Sequence, residues 1–267
     1  MKSKSKTLFG PEKPRVFLKA DFHIHTHEDP CDSWLVKYPA KDLIRVAAKQ
    51  NFQVLSITNH RRVLYDHLLK SYAKKKGILL IPGVESRIEG KDVLLIDVSN
   101  YELARVKKLD DLEKIKDSCL IIAPHPYFWL GHCLKNRLVE HIDDFHAIEF
   151  SHFYTKAFLS PFFRFLAGNS KAMEIAKKYR KPLVGTSDAH KLYEFGLTHT
   201  LVNSEKKKDD VIEAVKRNRI KLADNPMPGY LFFRRALGAI LKEGFLEKVA
   251  MRNNIRKKRK TAMAKLA

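Results

Sequence analysis

The chain has 267 residues, 45% of them hydrophobic and 10% aromatic, enough to bury one substantial core in a large α/β domain or a domain with an appendage. Its three cysteines, Cys31, Cys119 and Cys133, are odd in number and far apart, which argues against a disulfide framework or a zinc finger and for a reducing compartment. There is no signal-peptide core and no run of ~18 apolar residues, so a cytoplasmic protein without a transmembrane segment is expected, and the net charge of +21 favours anionic partners, nucleic acid first among them.

In chain order, β-branched and aliphatic runs predict strands over residues 16–25, 53–58, 78–84, 93–98, 120–123, 146–151 and 182–186, with 199–202 as a weaker eighth. Helical periodicity falls between them. Residues 39–50 place Leu43, Val46 and Ala47 on one face, with Pro39 suited to the helix start. Residues 63–76 place Leu64, His67, Leu68 and Tyr72 on an inner stripe that ends at Gly77, a left-handed C-cap. Residues 169–179 and 208–217 repeat the scheme, with Asn169 or Ser170 and Asp209 or Asp210 as N-terminal caps. Glu89-Gly90-Lys91 is suited to a hairpin turn. Alternating strands and helices in this number suit a closed barrel better than a small open sheet. After Asn225, Pro226, Pro228 and Gly229 break the chain. Residues 230–250 then read as an amphipathic helix with Phe233, Leu237, Ile240 and Leu241 on one face, followed by a basic stretch over 252–265.

The chemistry concentrates where strands stop. Asp21-Phe22-His23-Ile24-His25-Thr26 puts His23 and His25 on one face at period two, so that two imidazoles can share one metal ion. Thr58-Asn59-His60 follows the second strand and Gly83-Val84-Glu85 the third. Ala123-Pro124-His125-Pro126, Glu149-Phe150-Ser151-His152 and Ser187-Asp188-Ala189-His190 follow later ones. In a barrel of parallel strands these ends converge on one mouth, the place where active sites are built. Asp29 and Asp32 lie in the polar loop after His25, and one of them is in reach of the same point; spacing does not choose between them. His27, His67, His132, His141, His146 and His199 lack this placement and read as ordinary residues.

In this order the motifs Asp-x-His-x-His-Thr, Thr-Asn-His, Gly-Val-Glu, His-Pro and Ser-Asp-Ala-His resemble the PHP (polymerase and histidinol phosphatase) superfamily, over about residues 15–221. The resemblance implies a distorted (β/α)7 barrel, TIM-like; with the break after Asn225 this gives a barrel over residues 15–225 and an amphipathic, basic helical extension over 226–267. It implies two or three divalent ions, Mn, Zn or Fe. His23, His25, Glu85 and Asp188 would hold one, and Glu85 would bridge to a second held by His125 and His152. A third would use His60, His190 and Asp29 or Asp32. Asn59 stands where the family usually has Asp, and His152 where many members have Asn. Glu149 would orient a histidine or water, or serve as a buried structural acid.

A carboxylate shared by two ions among neutral imidazoles suits hydrolysis by a metal-activated water, whose pKa can fall from ~15.7 to about 7. A metal-bound water or, if the third ion is absent, His60 or His190 would protonate the leaving oxygen, and Arg61 and Arg62, next to His60, are suited to clamp a phosphate. The resulting expectation is a metal-dependent phosphoesterase acting on nucleotides or nucleic-acid ends, of phosphatase or 5′-3′ exonuclease type. A metal-stabilised nucleic-acid-binding module without turnover is the alternative. An amidohydrolase, which also begins with His-x-His, fits the Gly-Val-Glu and His-Pro motifs less well.

Overall fold

The computed structural model describes residues 17–151, 168–231 and Leu237. The strands are β1 (Phe17–Asp21), β2 (Val54–Ile57), β3 (Leu79–Ile88), β4 (Lys91–Ile96), β5 (Leu120–Ala123), β6 (Ala147–Ser151), β7 (Leu183–Thr186), β8 (Thr198–Asn203) and β9 (Ile220–Asp224). The helices are α1 (Ala40–Lys49), α2 (His67–Lys75), α3 (Asn100–Arg105), α4 (Asn136–Glu140), α5 (Asn169–Lys178) and α6 (Lys208–Lys216). No described helix is long and apolar enough to cross a membrane.

One sheet runs in the order β7-β6-β5-β4-β3-β2-β1-β8-β9. The β1-β2-β3 and β5-β6-β7 runs are parallel, while β4, β8 and β9 pair antiparallel with their neighbours. The short strands are almost continuously buried, as when both faces of a sheet are covered. The sheet curls until its two ends nearly meet: the Thr200 hydroxyl on β8 accepts from the Gly185 N–H of β7 at 3.0 Å and donates to the Gly185 carbonyl at 2.8 Å. The result is an α/β, TIM-like, distorted barrel, as expected. The expected turn at Glu89-Gly90 is present, with φ of 49° and 77°, the two positive angles a two-residue hairpin requires.

Several local expectations shift. β1 stops at Asp21, and the His-x-His segment beyond it leaves the ladder, held by a bridge from Ile24 to Ala189 in the loop after β7. Helix α2 starts four residues later than predicted because the Asp66 carboxylate accepts from the Leu69 N–H and fixes the first turn there. Its buried stripe is therefore Leu69 and Ala73, while His67 and Leu68 face solvent. Gly77 does take the left-handed conformation, at φ 76°. Asn169 does not cap α5; its amide accepts from the Ser151 N–H and donates to the Ser151 carbonyl, tying the end of β6 to the helix. Asp209 and Asp210 sit in the first turn of α6, where acidic side chains meet the helix dipole, and make no cap bond. Strand β9 was not foreseen. The expected ligand His152, Val16 at the start of the first predicted strand, the rest of the 230–250 helix and the 252–265 stretch lie outside the described residues.

Candidate metal centre

At the mouth, each imidazole is held by one nitrogen and presents the other. His23 Nδ1 donates to Glu149 Oε1 at 2.8 Å, and the Nδ1 atoms of His25 and His60 both donate to Asp29 Oδ2 at 2.9 Å. With those protons committed to carboxylates, the Nε2 lone pairs are left to converge. They converge on Glu85. Its Oε2 lies 3.4, 3.3 and 3.2 Å from Nε2 of His23, His25 and His60, and its Oε1 lies 3.3 Å from Nε2 of His125. Asp188 Oδ1 closes the group at 3.4 Å from His23 Nε2 and 3.2 Å from His25 Nε2.

The backbone that delivers these side chains is stitched across strand ends. Asp188 N donates to the His23 carbonyl at 2.8 Å, and His60 bridges to Glu85. The Asn59 amide accepts from Thr26 N–H at 2.8 Å and donates to the Thr26 hydroxyl at 2.9 Å, so it joins the ends of β1 and β2. His125 and Asp188 adopt positive φ, 27° and 42°, and Arg61 follows His60 at 57°. Non-glycine residues pay strain in that region, and such strain concentrates at functional sites.

Geometry separates the two loop aspartates. Asp29 is fully buried and saturated: Oδ1 accepts from the Cys31 and Asp32 N–H groups, and Oδ2 from both imidazoles and the His60 N–H. It orients His25 and His60 from behind. Asp32 instead faces His190, with Oδ2 3.0 Å from Nε2, and the His190 ring stacks on that of His25 at 4.4 Å. Among the described residues, the groups compact enough to share an ion include His23-His25-Glu85, His25-Asp188-His190 and His25-Asp29-His60; His60 and His190 fall into different ones. Glu149 behaves as an orienting acid, accepting from Thr186 Oγ1 and the His125 N–H as well as from His23.

Three participants were not singled out from sequence. Asp21 is fully buried; its Oδ1 accepts from the His23 and Ser187 N–H groups at 3.2 Å each, its Oδ2 has no partner, and burial pushes its pKa up to about 7. Its place in Asp-x-His-x-His, on the same face at period two, was the available signal. Cys133 lies with Sγ 3.4 Å from His125 Nδ1. Arg87, on the hairpin arm beyond Glu85, forks onto Asp92. Arg61 and Arg62 are exposed, and the described residues give their side chains no hydrogen-bond or ion-pair partner.

Burial opposes charge on every member, yet the carboxylates prevail over it: Asp188, Glu149 and Glu85 raise the pKa of His23 to about 10. His25 and His125 also stand well above the usual range, and Glu85 and Asp188 well below it, against burial. Protons here do what cations would do, compensating buried carboxylates. The donor set of imidazole nitrogens and carboxylate oxygens, pre-oriented from behind, therefore fits divalent ions such as zinc, manganese or iron. A groove of about 710 Å³ between α5 and β9 shares no lining residue with this centre.

A PHP-associated family matches residues 167–220. An uncharacterized protein of Methanocaldococcus jannaschii, MJ1587, is 27% identical over 130 residues, covering 46% of this chain and 76% of that protein. A two-domain protein from Bacteroides vulgatus, described as containing a predicted PHP-like metal-dependent phosphoesterase, shares the fold with a TM-score of 0.58 at 20% identity, over 79% of this chain and 66% of that one. PsfC from Pseudomonas syringae PB-5123 does so with a TM-score of 0.55 at 14% identity, over 86% and 99% of the two chains. The PHP-associated match over residues 167–220 and the fold shared with a protein described as containing a predicted PHP-like phosphoesterase agree with the resemblance carried by the ordered motifs at the strand ends.

Proposed function

We propose that the protein is a metal-dependent phosphoesterase acting on nucleotides or nucleic-acid ends, by phosphatase or 5′-3′ exonuclease chemistry. The observation that carries this reading is Glu85, whose two oxygens face four imidazole Nε2 atoms at 3.2–3.4 Å. His23, His25, Glu85 and Asp188 would hold one ion, Glu85 and His125 with His152 a second, and His60 or His190 with Asp32 a third. Such ions acidify a water and draw charge from phosphoryl oxygens. The chain supplies the rest. Glu149 and Asp29 hold the histidines in one tautomer, and His23, His25 and Glu85 are buried beneath the partly exposed His60 and Asp188. Where the third site holds no ion, His60 or His190 donates the proton to the leaving oxygen. Arg61 and Arg62, exposed next to His60, bind substrate oxygens, and the charge of +21 favours anionic substrates over neutral amides.

With manganese, the purified chain should cleave an aryl phosphate or a 5′-labelled oligonucleotide, and His23→Ala combined with His25→Ala should reduce the rate by at least ~10³-fold, a barrier of about 4 kcal/mol. Activity that survives the double change would sink the assignment. Salt-sensitive oligonucleotide binding without turnover would favour a binding module instead. We further infer that the catalytic barrel spans residues 15–225 and that 226–267 is a separable basic extension that contributes to nucleic-acid affinity.

A further inference from the structure

Beyond the residues already given roles, the hairpin of β3 and β4 carries a second charged network directly against the centre. Arg87 lies two residues after Glu85 on β3, so the two side chains leave the same face of the strand. Its cross-strand partner is Asp92 on β4, only 2% exposed. Arg87 Nε donates to Asp92 Oδ1 at 2.8 Å and Arg87 Nη2 to Oδ2 at 3.2 Å, a two-pronged bridge that fixes the plane of the guanidinium. His132 supports the carboxylate, with Nε2 3.5 Å from Asp92 Oδ2, and its carbonyl accepts from the Asp92 N–H at 2.9 Å. Asp92, Glu85 and His125 bring donor atoms within 4.8 Å of one another, so this network abuts the centre and is not a remote surface pair.

The bridge uses two of the five guanidinium N–H groups. Three remain, on the edge formed by Nη1 and Nη2, and the side chain is 36% exposed. A surface arginine has to be ordered when it grips an anion; this one is already held at the right plane by a buried acid. Arg61 and Arg62, adjacent to His60 in sequence, have no such support.

We propose that Arg87, braced by Asp92 and His132, is a further side chain that binds the phosphoryl oxygens of the substrate, beside Glu85. The inference rests on the phosphoesterase reading for the identity of its ligand, and its test does not depend on turnover. Inorganic phosphate is titrated calorimetrically into the manganese-loaded full chain, with metal content and thermal midpoint recorded for each protein. Arg87→Gln should weaken phosphate binding by about tenfold or more while keeping its metal, as expected for loss of charge-assisted hydrogen bonds. Arg45→Gln, which removes the same charge from the exposed face of α1, should bind as the wild type does. Arg87→Gln within twofold of the wild type overturns the proposal, as does an equal loss in Arg45→Gln or a wild type that binds no phosphate. Where Arg87→Gln fails to fold or to hold metal, Arg87→Lys decides: it keeps the charge without the fork and must lose at least threefold. A wild type that binds phosphate through Arg87 but hydrolyses no ester overturns the phosphoesterase reading alone. Hydrolysis with unchanged phosphate binding in Arg87→Gln overturns the subsite alone.

Discussion

At the scale of residues, Asp29 shows how much of a metal centre lies behind its ligands. Its Oδ2 receives three N–H groups, from His25, His60 and the His60 backbone, and its Oδ1 receives two more. An asparagine there keeps one acceptor oxygen and turns the other position into a donor, opposing at least one imidazole Nδ1–H and releasing its tautomer. Asp29→Asn should therefore weaken metal affinity about 10–100-fold, the usual cost of losing an orienting partner, when measured by competition with a chelator. Unchanged affinity would mean that the histidines are positioned by packing alone. The candidate ligands His23, His25, His60, His125 and Glu85 were legible in the sequence because each falls at or near the end of a predicted strand, where period and position are constrained. The division of labour between Asp29 and Asp32 was not legible, because a loop has no period from which to read direction. Cys133 was invisible for a related reason: it reaches His125 from a turn eight residues further along, through a contact that only the folded loop creates.

At the scale of elements, barrel closure depends on how near β7 and β8 can come. A Cβ on Gly185 would stand 2.7 Å from the His199 carbonyl oxygen and 2.5 Å from Leu222 Cδ1, and the carbonyl belongs to a paired strand that has little room to give. Gly185→Ala should thus destabilise the fold by about 1–3 kcal/mol through overpacking, read as a shift of the urea midpoint at constant slope. A midpoint equal to that of the wild type would show that the sheet ends are free to part. Seven strands, and β8 as a weaker eighth, were foreseen because their runs are rich in β-branched and aliphatic residues; β9, Ile-Lys-Leu-Ala-Asp, is an edge strand with half-exposed side chains, and its run is too short and too polar to stand out. The antiparallel β4 was announced only by its turn, since period alone carries no direction. In α2 a single cap outweighed the hydrophobic pattern: Asp66 sets the start, and the buried stripe follows from it.

At the scale of the whole molecule, the positive excess is felt inside as well as outside. His146 is partly buried and accepts the Ile121 N–H on Nδ1; burial first, then Lys216, Lys181 and Lys116, lower its pKa to about 4. His199, buried against Phe52, is lowered to about 4 by burial and then by Lys19. Both rings are neutral in the folded protein and regain an ordinary pKa near 6.5 on unfolding. Between pH 6.5 and 4 these two rings therefore bind more protons in the unfolded chain than in the folded one, and their contribution to stability falls as pH falls through that window, offset in part by Asp21, whose raised pKa of about 7 makes the folded chain hold a proton there. The carboxylates held low at the centre take up their protons in the folded chain only below it. Allowing for the water that reaches both rings, the loss is about 1–3 kcal/mol in total. His146→Gln combined with His199→Gln should flatten the stability profile between those pH values, and added salt should flatten the His146 share by screening its three lysines. A double variant whose profile matches the wild type's from pH 6.5 to 4 would show that these histidines are not held neutral, and that the lysines around His146 spread their charge into solvent instead of into the fold.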